Sequence, residues 1–261
     1  MGWLESQSET VVLHASPSET SRFGHPVDRM TVGSRWRETF SRATLADTMR
    51  SLLADSTART VILRYPSDTA FVISDLGDTG CDVLPAGSML YWEHGLGEDA
   101  AVVAGVTELV GTVLTPTQVS EVQAALADSF AGYVNHYSVN PLVRDAVVSE
   151  GYLDWARNTL SSEGSRVFLL GADEAIAGVG VVDAAGGKDF WEIQLAGIVA
   201  ASQGRGLYRE LVLGILASAS GSGVSRVLIS TQAHNTRVQR SWARLGFTPE
   251  SAIDTVHLVR R

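Results

Sequence analysis

Shifted by 166 positions, the chain falls on itself without a gap, and this constrains its fold more than any single motif. "TVILR" (60–64) lands on "RVLIS" (226–230), and both read as short buried strands rich in β-branched residues. Thr69 lands on Asn235, Val72 on Val238, Leu76 on Trp242 and Gly80 on Gly246. Upstream, Leu45 and Met49 land on Leu211 and Ile215, inside two runs of helical period; downstream, "MLYW" (89–92) lands on "TVHL" (255–258). The shared order is helix, strand, helix, glycine-ended turn, then a pair of strands. Each second helix stops at a glycine, Gly80 or Gly246, as a left-handed C-cap requires. A length of 261 residues suits two such units.

The copies differ at one place. Gln203-Gly204-Arg205-Gly206 lands on Arg37-Glu38-Thr39-Phe40, so only the second copy has a glycine loop. That loop follows an apolar, strand-like run and opens a helix. It is not a Walker loop, because no Gly-Lys-Ser/Thr follows. Nor is it the dinucleotide fingerprint, which needs a third glycine and a later acidic residue. Glycine lets a backbone approach a ligand closely. Successive N–H groups and a helix N-terminus favour an anion, and Arg205 adds a positive charge. The residues alone leave two readings open: a cradle for phosphate, or a tight turn into a packed helix.

Charge narrows the partners. Twenty Lys and Arg against 29 Asp and Glu leave a formal charge of −9, which argues against a nucleic-acid or anionic-membrane footprint. A single cysteine, Cys81, excludes an internal disulfide and a multi-cysteine metal site, and the histidines lack metal spacing, so no metal is expected. With no basic, apolar leader at its start and no apolar run long enough to span a bilayer, the chain reads as cytoplasmic. A boundary is expected ahead of "TVLTPTQVSEVQ", with residues 1–103 a scaffold unit and 104–261 the ligand-binding unit. There Thr117 is expected to cap a helix from Gln118. The coarse reading continues with helices over 118–130 and 142–162, three antiparallel strands at "RVFLLGA", "EAIAGVGVVDA" and "FWEIQLAGIVA", the glycine loop, a helix to about 219, strand 225–231, helix 235–244 and two last strands.

The stretch "EIQLAGIVAASQGRGLY" (192–208) resembles the central segment of the GNAT superfamily of acyl-CoA-dependent N-acyltransferases. Gln203, Gly206 and the following helix match its pyrophosphate loop, and "NTRVQRSWARLGF" (235–247) resembles its later Asn-to-Gly-Phe segment. With "YVNHYSVNP" (133–141), "GYLDWARN" (151–158) and the extra N-terminal half, the chain looks most like the TDP-fucosamine acetyltransferase type. The resemblance implies an α+β fold: a mixed central sheet flanked by helices, preceded by a smaller half-GNAT-like α/β unit without a phosphate loop. It implies acetyl-CoA or another acyl-CoA as co-substrate. The pantetheine arm would lie beside Ile198 and Val199, and the pyrophosphate on amides around Gln203, Gly204, Arg205, Gly206, Leu207 and Tyr208, with Asn235 and Ser241 nearby.

Acyl transfer to an amine needs a base, an oxyanion donor and a proton for the leaving thiolate. The resemblance makes Glu192 the base, with Gln194 on its face if the strand alternates; a solvated strand residue is the competing reading. The Ile198 N–H is the expected oxyanion donor. For the acid the chain departs from the family, since Trp242 stands where many members have tyrosine; Tyr208, His234 and Ser241 are the candidates. Tyr133, His136, Tyr137 and Asn140 form a polar-aromatic loop that would border the acceptor pocket, or a helix junction with the aromatics in the core. The favoured acceptor is a nucleotide-linked amino sugar. An antibiotic or peptide amine, or a non-catalytic CoA-binding module, are the alternatives. Oligomeric state is left open, a homodimer included.

Overall fold

The computed structural model describes residues 3–97, 104–110, 113–143, 160, 162–172, 175–185 and 189–261. The helix expected over 142–162, apart from its ends, lies outside the described residues, as does residue 103 at the expected boundary. Strands β1 (Val11–Ala15), β2 (Val27–Val32), β3 (Thr60–Pro66) and β4 (Cys81–Gly95) belong to the first copy. Strands β5 (Val106–Val110), β6 (Ser165–Ala172), β7 (Ala175–Asp183), β8 (Phe190–Ile198), β9 (Arg226–Gln232) and β10 (Thr248–Arg260) belong to the second. All ten join one mixed sheet, in the order β1-β2-β3-β10-β4-β9-β8-β7-β6-β5.

This order is an exchange. β4 ends the first copy, yet it pairs with β9, from Met89↔Gln232 to Gly95↔Arg226. β10 ends the second copy, yet it pairs with β3, from Ile253↔Pro66 to Val259↔Thr60. The two exchanged strands pair antiparallel with each other at the middle of the sheet. The expectation of two strands at the end of each copy needs correcting. Each is one long strand, and in β10 the ladder to β4 shifts at Pro249/Ser251 and Asp254/Val256. A bulge of this kind bends a strand without ending it.

Helices α1 (Trp3–Ser6), α2 (Pro17–Phe23), α3 (Arg42–Asp55), α4 (Phe71–Leu76), α5 (Pro116–Ser129), α6 (Leu207–Gly221) and α7 (Thr236–Arg244) accompany the sheet. Local chemistry sets their starts. Ser41 caps α3 in a reciprocal box with Thr44, and Thr115 does the same for α5 with Gln118. Pro116 occupies the first turn of α5, where its missing N–H costs nothing, so the cap is Thr115 and not Thr117. α5 buries Val122 and Leu126 against Val179 and Val181, whereas α6 buries Leu211 and Ile215 in a cluster with Val182 and Ile193. Val181 and Val182 are neighbours on β7, so the two helices cover opposite faces of the sheet. No helix among the described residues is long and apolar enough to cross a membrane.

The exchange merges the cores. Val256 and Leu258 from β10 pack with Leu45, Met49, Val61 and Leu63 of the first copy, and Trp92 from β4 packs with Trp242 and Phe247 of the second. Leu258→Ala, three residues from the chain's last position, is therefore expected to cost about 2–5 kcal/mol of global stability, as a buried leucine does. Urea unfolding followed by far-UV circular dichroism checks this. A midpoint shift worth less than 1 kcal/mol would mean that the exchanged strand does not hold the first copy.

Candidate active site

The parallel ladder between β8 and β9 is short. It runs from Phe190↔Arg226 to Ile193↔Ile229 and stops there. Beyond it β8 stays paired to β7 as far as Ile198↔Gly178, and β9 stays paired to β4. The strands thus part, and each is held on its outer side. Gln194 is the extra residue of a bulge, since Val181 faces Leu195 and Val182 faces Ile193. The first copy is closed at the matching place. Its β2–β3 ladder continues to Thr31↔Arg64, which the offset sets on Gly197 and Ser230. There Trp36 is buried, donates from Nε1 to Thr69 Oγ1 at 2.9 Å, and packs edge-on against Phe71.

The gap in the second copy opens into a cavity of about 530 Å³. Its wall includes Gly197 and Ile198 on β8, Gln203, Gly204 and Gly206 on the loop, Leu207 and Tyr208 on α6, and Asn235 and Ser241 at α7. Gly204 and Gly206 have φ of +80° and +82°, and a Cβ added at either would meet nothing within 4 Å. The glycines therefore serve a left-handed backbone beside open space, not tight packing. Gly206 is the N-cap of α6 and offers no side-chain cap, so the first amides of that helix face the cavity end of the loop. Gln203 steadies the loop by donating from Nε2 to the Ile198 carbonyl at 3.1 Å.

Three cavity arginines escaped the sequence reading: Arg209, Arg237 and Arg244. The signal was available. Arg237, Ser241 and Arg244 are spaced four and three apart, so they share one face of α7. These cations collect where an anion would rest in a chain of net charge −9.

A second, smaller hollow of about 80 Å³ continues between the parted strands. Gln194, Ser230, Thr231, Gln232 and Met89 line it, and among the described residues no Asp, Glu, Lys or Arg does. Phe130, Tyr133, Ala196, Tyr208, Asn235 and Val238 line both spaces and so mark where they meet. At that junction Trp242 donates from Nε1 to the Tyr208 hydroxyl at 2.9 Å. Burial raises the Tyr208 phenol above its ordinary range, and the Trp242 bond opposes this. The Tyr133 hydroxyl lies 3.0 Å from Thr231 Oγ1 and accepts from the Gln232 N–H at 3.4 Å.

Several expected residues stand elsewhere. Glu192 is buried, accepts the Trp3 N–H at 3.0 Å, and lines neither space. It faces Leu228 within the paired part of the ladder, ahead of the gap. The bulge at Gln194 interrupts the alternation that linked it to the gap residues. His234 is exposed beside the Tyr133 ring and lines neither space. Val199 and Arg205 flank the large cavity without lining it; the Val199 N–H bonds the Ala177 carbonyl at 3.0 Å.

His136, Tyr137 and Asn140 line neither of these two spaces. They dock on the first copy through a buried polar network. The Tyr137 hydroxyl donates to Glu19 at 2.6 Å, and Arg29 grips the same carboxylate with bonds of 2.7 and 2.8 Å. Arg64 donates to His136 Nε2 at 3.0 Å; His136 Nδ1 lies 3.0 Å from His257 Nε2, and Asn140 Nδ2 lies 3.2 Å from His257 Nδ1. Arg64 can only donate, so His136 Nε2 accepts and a neutral His136 keeps its one hydrogen on Nδ1, facing His257. Burial lowers His136 well below its ordinary value, with Arg64 and His257 adding to the shift. Burial pushes His257 down to about 4; Glu19 opposes the shift and Arg64 adds to it. Burial alone would raise Glu19, but Arg29 and Tyr137 overcome it and hold the carboxyl at about 2. No group of three or more His, Cys, Asp or Glu among the described residues is placed to hold a metal ion.

Residues 119–247 match the family model described as Acetyltransferase (GNAT) family. Solved structures share the fold across most of the chain. An acetyltransferase of the GNAT family from Novosphingobium aromaticivorans is 18% identical with a TM-score of 0.52, over 89% of this chain and 84% of that one. A GCN5-related N-acetyltransferase from Sphaerobacter thermophilus is 14% identical with a TM-score of 0.59, over 96% and 77%. A tandem GNAT protein from the clavulanic acid biosynthesis pathway is 19% identical with a TM-score of 0.56, over 91% and 76%. No curated protein sequence matches this one. The fold is thus a GNAT fold, a mixed sheet flanked by helices.

The network predicts an acid-sensitive fold. Between pH 6.5 and about 4 the unfolded chain protonates His257 and the native state does not, so stability falls on acidification through that window. The loss is on the order of 2 kcal/mol by pH 5 from His257 alone. Glu19 adds stability above its ordinary value of 4.5, and that share fades as pH falls toward 2. Urea midpoints at pH 7.5 and 5 measure the slope, and His257→Gln should flatten it. An unchanged slope would show that the buried imidazole does not control it.

Proposed function

With a GNAT-family acetyltransferase domain matched over residues 119–247 as the premise, we propose that this protein moves an acyl group, acetyl first, from coenzyme A to a primary amine of a small molecule. The observation that carries this is the parting of β8 and β9 after Ile193 and Ile229 beside a loop held open at positive φ. A strand edge without a partner offers N–H and C=O groups that a pantetheine amide chain can bond. The amides at the start of α6 and the guanidiniums of Arg209, Arg237 and Arg244 suit the phosphates.

Alternation supports a role for Ile198. The Val199 N–H points to β7, so the Ile198 N–H lies on the opposite edge of β8, toward the gap. A donor there would meet the carbonyl oxygen as it gains charge. The smaller hollow would take the amine. Its hydroxyls and amides, with Tyr133, suit a neutral polyhydroxyl face, which favours a nucleotide-linked amino sugar whose nucleotide stays outside. With Glu192 bonded to Trp3, the amine proton would leave through water in the cavity. Residues 1–103 would act as scaffold and 104–261 as the catalytic unit. A non-catalytic CoA-binding module is the second reading, and the engaged Glu192 is what favours it.

Titration calorimetry should show coenzyme A binding, and Gly206→Asp should weaken it at least tenfold by setting a carboxylate against the phosphates. Absent heat with coenzyme A and acetyl-CoA would end both readings. Thiol release from acetyl-CoA, tested with a TDP-linked amino sugar, an aminoglycoside and a peptide N-terminus, separates them. Tight binding without release on any acceptor supports the module.

A further inference from the structure

We propose that Tyr208 supplies the proton taken by the departing thiolate, and that Trp242 holds its hydroxyl for that task. The inference rests on the transferase reading above and adds an assignment that reading leaves open.

Hydrogen-bond polarity makes the case. An indole N–H can only donate. In the 2.9 Å contact the Tyr208 oxygen therefore accepts, and its own hydrogen remains to be given elsewhere. No protein acceptor for that hydrogen is found among the described residues. Tyr208 lines both the large cavity and the smaller hollow, so its hydroxyl belongs to the junction where donor and acceptor substrates would meet. Trp242 is a firm support. It is 1% exposed and packs against Trp92 and Phe247 at centroid distances of 6.1 and 6.4 Å.

The other candidates fit less well. Tyr133 has protein partners at its hydroxyl, Thr231 Oγ1 and the Gln232 N–H. His234 lines neither space. Ser241 lines only the large cavity, and an aliphatic hydroxyl is a far weaker acid than a phenol. Burial by itself makes the Tyr208 phenol a weaker acid, and the bond from Trp242 works against that. The Trp242 N–H then stabilises the phenolate during the moment it exists.

The step balances. The amine nitrogen attacks the thioester carbon and the C–N bond forms, while the carbonyl π pair moves onto oxygen. The pair returns as the C–S bond breaks, and the sulfur takes the Tyr208 hydrogen. The amine nitrogen loses a proton to water, and water returns one to the phenolate. An amide and a thiol leave, and the tyrosine is restored.

Tyr208→Phe tests this with thiol release from acetyl-CoA and whichever amine of the panel the wild type consumes. The expected result is a kcat lower by 10- to 100-fold with coenzyme A affinity within threefold. A second donor separates chemistry from structure. In the oxygen-ester analogue of acetyl-CoA the leaving alkoxide is more basic and needs its proton more, so the Phe variant should lose about a further tenfold. A structural role would slow both donors equally. Trp242→Phe should lower kcat less, leave coenzyme A affinity intact, and add nothing to Tyr208→Phe in the double variant, with the unfolding midpoint read alongside. Equal defects with both donors, or none, overturn the assignment while the transferase reading stands. A wild type that binds coenzyme A and releases no thiol with any amine removes the transferase reading and this inference together.

Discussion

The site depends on two strands that stop pairing while both remain anchored. β8 and β9 share four ladder pairs and then separate, and nothing about the free edges would hold them apart in isolation. Unpaired N–H and C=O groups are costly when shut away from water. The opening persists because β7 fixes β8 as far as Ile198 and β4 fixes β9 as far as Gln232. A bulge at Gln194 steers β8 away from its neighbour. The free edge then becomes a surface that another chain of amides can complete.

The anchor on β9 comes from the other copy, and this gives the exchange of β4 and β10 a mechanical meaning. A second-copy unit with its own last strand beside β9 could have opened in the same way, but here the strand beside the gap brings Met89 into the hollow. The first copy shows the alternative use of the same pattern. By the shared offset its ladder ends four positions further along the β8 equivalent and one further along the β9 equivalent, and Trp36 is buried beside it. One architecture thus yields an opening where the loop has glycines at positive φ and a closed core where it has Trp36 and Phe40.

Much of this was legible in the residues, and the failures share a cause. The offset of 166 sets β3 (60–66) on 226–232, the observed span of β9, and sets α3 (42–55) on 208–221, within one residue of α6. Periodicity and glycine position are local signals, so elements and loop could be read. Partner choice is not local. Nothing in "MLYW" or "TVHL" says which β-strand each will join, so the exchange was invisible. Glu192 as base came from the resemblance; alternation only put Gln194 on its face, and that assumes an unbroken pleat, which the bulge at Gln194 breaks. For His136, Tyr137 and Asn140 a pocket border and a buried junction both stayed open, because a polar-aromatic run suits a ligand and a buried network equally well. The shared face of Arg237 and Arg244 on α7 was itself readable from their spacing.

The same network gives the first copy a role beyond filling space. Residues 136–140 are tied to Glu19, Arg29, Arg64 and His257, all of them on elements built on the first copy's strands or paired to them. Tyr133, three residues earlier, reaches both cavities and bonds Thr231 on β9. A short segment therefore has one end fixed by buried ionic and imidazole contacts and the other end in the site. Surface ion pairs would hold it weakly, since solvent screens them. The Glu19 carboxylate, fully buried and gripped by two bonds from the partly buried Arg29 and one from the buried Tyr137, is lost only at the cost of leaving a charge without its partner. The copy without the glycine loop thus helps to set the position of a tyrosine in the copy that has it, and the two halves of the chain are joined through that segment as well as through the exchanged strands.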